Sequence, residues 1–183
     1  MFERIWLLGV ALALGCESGS VGDPCVPDVE YAATFAPFSM REVYLESRSF
    51  ECATRLCLVN HFQGRVSCPL GQAGPEGAPA CFLPSASAGD AEQRVQTPVP
   101  AWDLDRPASR AVYCSCRCAG PDPDARYCEC PSGFQCRELA PELDAPNAEL
   151  AGSYCIKRGS EFDPVQVGGA TCADVPSDPR CAE

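Results

Sequence analysis

Apolar residues in this chain are gathered into a few short runs, separated by long polar stretches rich in proline, glycine and alanine. The first run, Ile5–Leu14, is continuous and follows a short segment carrying Arg4. It is too short to cross roughly 30 Å of hydrocarbon, which takes about 20 residues. No later stretch approaches that length. It reads as the apolar region of an export signal, set aside before the fold is considered. Further on, Glu42–Phe50 partly alternates and predicts a strand. Arg55–Phe62 is a compact apolar run and predicts the most buried strand. Residues 60–65 read as a turn. Val112–Cys118 has period two: Cys114, Cys116 and Cys118 fall on one face of a strand, with Tyr113, Ser115 and Arg117 on the other. Tyr127–Cys136 contains a Pro131-Ser132-Gly133 turn, and Tyr154–Lys157 predicts a last strand. The pattern predicts a small disulfide-rich protein of short β-strands and irregular loops, preceded by an N-terminal signal helix.

The residues that close the first run read Leu12-Ala13-Leu14-Gly15-Cys16. This resembles the lipobox of bacterial lipoproteins, although Ala13 stands where that family favours leucine. The resemblance implies that residues 1–15 are cleaved and that Cys16 carries a diacylglycerol with acyl chains of the palmitate type. It implies a membrane partner reached through that anchor and no other cofactor. Glu17 replaces the aspartate that commonly retains such proteins at the inner membrane, so the resemblance implies the outer membrane of a Gram-negative envelope. Residues 16–24, small and polar, predict a flexible tether.

Composition decides how the exported domain is stable. Leu, Ile, Val and Phe make up about 17% of residues 16–183, and the chain carries a formal net charge of −11. Such a chain is expected to be disordered unless something else holds it. Fifteen cysteines supply that something. Each disulfide contributes roughly 2–4 kcal/mol, and bridges persist in an oxidising compartment.

Without Cys16 the cysteines are even in number. Cys25, Cys52, Cys57, Cys68 and Cys81 lie in a first module, residues 25–81. Cys114, Cys116, Cys118, Cys128, Cys130, Cys136, Cys155, Cys172 and Cys181 lie in a second, residues 112–183. Both sets are odd, so full pairing requires at least one bridge between them. Cys81 is the expected partner in that bridge, because the four cysteines before it can close among themselves. The Pro- and Ala-rich loop 82–111 then becomes part of a closed ring. Cysteines two apart on a strand point the same way and are poorly placed to bridge each other, so Cys114, Cys116 and Cys118 are each expected to reach a different partner. Cys172 and Cys181 are expected to close a local loop. The remaining connectivity is open among on the order of 10⁵ pairings.

Cys128-Glu129-Cys130-Pro131-Ser132-Gly133-Phe134 resembles the C-x-C-P-x-G-F segment of EGF-like modules. The closing cysteine, Cys136, arrives early for that family. The resemblance implies an EGF-like architecture in part of the second module.

Chemistry adds little. There is no nucleophile elbow, Walker loop, dinucleotide fingerprint or H-E-x-x-H motif, and no enzyme is expected. The lone histidine, His61, reads as a turn residue bonded to the backbone. Asp122, Asp124, Glu138, Glu142 and Asp144 read as solvated charges. An acidic chain argues against nucleic acid. The expected role is binding or structural, with an envelope protein or surface ligand as partner and an exposed apolar or aromatic patch. One alternative is a thiol–disulfide redox or enzyme-accessory role, which requires an accessible bridge. Another is metal binding through the C-x-C thiolates.

Overall fold

The computed structural model describes residues 18–72, 80–86, 93–139, 150–165 and 168–181. The expected signal segment, Cys16, Glu142 and Asp144 lie outside the described residues. The fold is small and mainly β, as the pattern predicts. Its strands are β1 (Val43–Glu46), β2 (Cys57–Asn60), β3 (Val112–Cys114), β4 (Arg117–Ala119), β5 (Phe134–Glu138) and β6 (Ser153–Lys157). They form two antiparallel sheets, ordered β1-β2-β3 and β4-β6-β5. Among the described residues there is one α-helix, the four-residue α1 (Ala108–Ala111), which leads directly into β3.

The first sheet is covered on both faces. Side chains alternate across a strand, and Tyr44, Cys57, Val59, Val112 and Cys114 pack with Phe38, Phe62 and Trp102. The intervening Val43, Leu45, Leu58 and Tyr113 pack with Leu139, Tyr154 and Ile156 of the second sheet and its flank. Leu58 stands opposite both Leu45 and Tyr113. The expected most-buried strand is therefore β2, with every residue buried.

Seven disulfides pair all fourteen cysteines after position 16: Cys25–Cys57, Cys52–Cys114, Cys68–Cys81, Cys116–Cys128, Cys118–Cys136, Cys130–Cys155 and Cys172–Cys181. One bridge joins the two sets, as parity requires, but it is Cys52–Cys114 and not a bridge from Cys81. Cys81 closes on Cys68, and the two pack with Val95 and Val99 in a small cluster of their own. The closed ring around residues 82–111 still exists, formed by Cys52 and Cys114. Cys172 and Cys181 form the expected local loop.

The C-x-C-x-C run is not one strand. Cys114 ends β3 in the first sheet and Arg117 begins β4 in the second. Ser115 makes the crossing. Its N–H donates to Leu56 O at 2.9 Å, its hydroxyl to Cys155 O at 2.9 Å, and its carbonyl accepts Thr54 Oγ1 at 2.5 Å. Tyr113 and Ser115, expected on the opposite face, are fully buried as well. Each of the three cysteines does reach a different partner. The expected Pro131-Ser132-Gly133 turn forms, with Phe134 N–H donating to Pro131 O and Gly133 at φ +87°. Cys130 and Cys136 do not pair with each other there; Cys155 and Cys118 take them across the second sheet.

Two further expectations change. From Gly19 onward the expected tether is bound to the fold: Gly19 N–H donates to Glu51 O, Ala53 N–H to Gly19 O, and Gly22 N–H to Cys114 O. Gly22 sits at φ +101°, and a Cβ there would come within 2.8 Å of the Phe134 ring. The loop 82–111 is also no mere connector, because Trp102 within it is fully buried. The Trp102 indole N–H donates to Arg65 O at 2.7 Å. Arg65 is itself fully buried and donates to the carbonyls of Glu30, Ala32 and Phe35. The Glu30 carboxylate accepts Val66 N–H, Ser67 N–H and the Ser67 hydroxyl. In a chain poor in large aliphatics, these buried, hydrogen-bonded polar side chains replace part of the missing core.

Candidate functional site

The β1–β2 ladder has two ends, and they differ in chemistry. One end is the pair Val43 and Asn60; the other is Glu46 and Cys57, where the hairpin connection 47–56 begins.

At the first end lie two adjoining clefts of about 600 and 810 Å³. Arg41, Phe162 and Pro164 belong to both. The smaller adds Arg137, Glu138 and Glu161; the larger adds prolines 37, 98 and 100. His61 stands between strand and cleft with φ +52°, a left-handed conformation in which His is among the enriched residues. Its ring stacks on Phe162 with centroids 4.0 Å apart, and its Nδ1 lies 2.9 Å from Met40 O. The turn role expected for His61 is thus what the fold uses. Beneath it, the buried Arg106 guanidinium donates to Asn60 O, His61 O, Ser160 O and Glu161 O. Burial pushes the Arg106 pKa down, and the carbonyl cage offsets this by accepting hydrogen bonds from its N–H groups. Hydrogen bonds from backbone and from Gln135 hold the exposed Glu161 carboxyl below its usual range. Nothing in the sequence pattern marked Phe162 or Arg106; their roles come from chain segments some 100 and 45 residues away from β2.

At the second end, Phe50 is 78% exposed. The Arg55 guanidinium lies 4.7 Å from its ring centroid. Arg55 takes φ +63°, and its backbone closes the turn through Arg55 N–H to Cys52 O and Ser49 N–H to Arg55 O. Among the described residues the other exposed large apolar side chains are Tyr31, Val165 and Val175.

The expected disulfide cysteines form three sulfur clusters: Cys25, Cys52 and Cys114; Cys116, Cys128 and Cys155; and Cys118, Cys130 and Cys155. Within each, the sulfurs lie within 4.8 Å of one another. All belong to bridges, so they are not thiolates, and a soft metal would need those bridges reduced first. Cys136 is exposed while Cys116 and Cys155 are buried. The Cys118–Cys136 bridge is therefore open to solvent. Asp122 and Asp124 are exposed and bonded within their own loop, and Glu138 lies at the rim of the smaller cleft. No helix among the described residues is long and apolar enough to cross a membrane. Set beside family models, curated proteins and solved structures, the chain matches none of them.

Proposed function

We propose that this chain is a membrane-anchored lipoprotein of a bacterial envelope, lipidated at Cys16, whose disulfide-stapled domain has a binding or structural role. One observation carries the reading. Seven bridges use every cysteine after position 16. Cys16 is the cysteine left over, and it directly follows the apolar run and Gly15. A lipid consumes such a thiol; in an oxidising compartment a free one would invite mispairing. The double cleft around Arg41, Phe162 and Pro164 is the surface best shaped to take a ligand, with apolar walls and charges of both signs at its rim. The test is mass spectrometry of the protein extracted from membranes with detergent. A mature N-terminus at Cys16 carrying acyl chains is expected, and Cys16→Ser is expected to accumulate with residues 1–15 uncleaved. An unmodified Cys16, or a mature N-terminus elsewhere, overturns the reading.

The redox reading has a single observation in its favour, the exposed Cys118–Cys136 bridge. It requires that bridge to exchange with a dithiol while the other six remain closed. Titration against a dithiol buffer with alkylation mapping separates the two readings.

A further inference from the structure

We propose that the hairpin tip bearing Phe50 and Arg55 docks on the surface of the bilayer that holds the anchor, so that the domain stands on the membrane in one fixed orientation. This rests on lipidation of Cys16.

The leash is short. Gly19 is already bonded on both sides, to Glu51 O at 2.6 Å and from Ala53 N–H at 2.8 Å. Three residues from Cys16 to Gly19 reach about 11 Å at full extension. A lipid at Cys16 therefore keeps residues 51–53 near the headgroups. Gly19 pairs with Cys52 in the parallel sense. Going toward lower numbers from Gly19, the chain thus sets out in the direction that leads from Cys52 to Phe50.

What lies there has the chemistry of the interface. Phe50 offers an exposed ring to the acyl boundary, and the guanidinium against it sits at the level of phosphates. Arg48, also exposed, lies on the same connection. Three carboxylates near this connection accept backbone N–H groups: Glu46 from Asp28 at 3.0 Å, Glu51 from Val26 at 2.7 Å and Asp23 from Ser20 at 2.7 Å. A chain with net charge −11 is repelled by an anionic surface in most orientations. Presenting Arg48 and Arg55 is the orientation that lessens this repulsion. The consequence is directional. The two ends of the β1–β2 ladder are opposite, so a tip on the membrane holds the Arg41 and Phe162 clefts away from it.

The lipidated full mature chain, reconstituted in vesicles of phosphatidylethanolamine with a minority of phosphatidylglycerol, supplies the test. Phe50→Trp places a reporter at the tip against a background of one buried indole, Trp102. Lipids brominated in the upper acyl chain are expected to remove most of the added emission. Val165→Trp, in the segment beside the clefts and 89% exposed, is expected to keep its emission. Both sites are exposed, so neither variant is threatened by misfolding. An unquenched tip with lipid confirmed on Cys16 by mass spectrometry overturns the docking alone. Equal quenching at both positions overturns the single orientation. Absence of lipid at Cys16 overturns the anchored reading and this inference with it.

Discussion

Cys57 and Cys114 face each other directly across β2 and β3, yet neither bridges the other. Cys57 reaches back to Cys25 and Cys114 to Cys52, so two disulfides lie side by side beneath the first sheet. Directly opposed cysteines would tie only two strands that hydrogen bonds already hold. Reaching outward, they fasten the N-terminal segment and the hairpin connection to the sheet.

Cys52–Cys114 is expected to be the one disulfide link between residues 25–81 and residues 112–181. Cleavage in the loop between Pro84 and Arg110 should leave the halves joined without reductant, even in denaturant. In a Cys52→Ala, Cys114→Ala double variant they should part. Closing a loop of 62 residues contributes about 4 kcal/mol in the chain-entropy account, so that variant should also lose stability on this order. Halves that part in the unaltered protein would refute the pairing.

Reduction of all bridges is expected to unfold the domain at room temperature, whereas a chelator should leave it folded. Seven bridges at roughly 2–4 kcal/mol each exceed the ~5–15 kcal/mol total of an ordinary domain. Circular dichroism and protease resistance before and after each treatment are the readouts. Protease resistance after full reduction would mean that the Trp102 and Tyr113 clusters suffice without bridges.

Arg106→Met is expected to cost on the order of 3 kcal/mol or more, because four carbonyls lose a charged donor inside the fold. The Phe162 segment should come away from His61. Urea unfolding gives the first quantity, and the ring-current shift of the His61 protons gives the second. A stable variant with the stack intact would show that the cage is dispensable.

Glu30 sets a pH dependence of definite sign. Burial, partly offset by hydrogen bonds from Val66 and Ser67, raises its pKa above the ordinary 4.5. The folded state then holds the proton more tightly than the unfolded one. This contribution is fully present below pH 4.5 and is lost as pH rises through the higher folded value. Asp178 acts oppositely. Hydrogen bonds from Arg180 bring its pKa down to about 2, so its contribution is present above its ordinary 3.8 and is lost as pH falls toward 2. Denaturant midpoints between pH 4.5 and 7 should fall less steeply with pH in Glu30→Gln than in the unaltered chain. Parallel curves would remove Glu30 from the account.

Much of the architecture was legible in order along the chain. The alternation at residues 42–50 and the apolar run at 55–62 marked β1 and β2, and the cysteine count marked a stapled fold. Parity alone required a bridge between the two cysteine sets. The short ring of Cys172 and Cys181 followed from spacing. These are local or arithmetic properties, and no packing is needed to know them.

Only tertiary structure decided which cysteine crosses, where the C-x-C-x-C run breaks, and what covers the sheet. A disulfide needs Cα atoms some 4.4–6.8 Å apart with their Cβ vectors converging, and that geometry exists only once Cys52 and Cys114 lie beneath one sheet at 5.4 Å. Period two placed Cys114, Cys116 and Cys118 on one face but could not reveal that Ser115 turns the chain from one sheet to the other. Trp102, Arg65 and Arg106 sit in stretches that read as loop or surface. They are buried because distant carbonyls meet their polar atoms, and such partners are set by the path of the backbone in space rather than by the residues beside them.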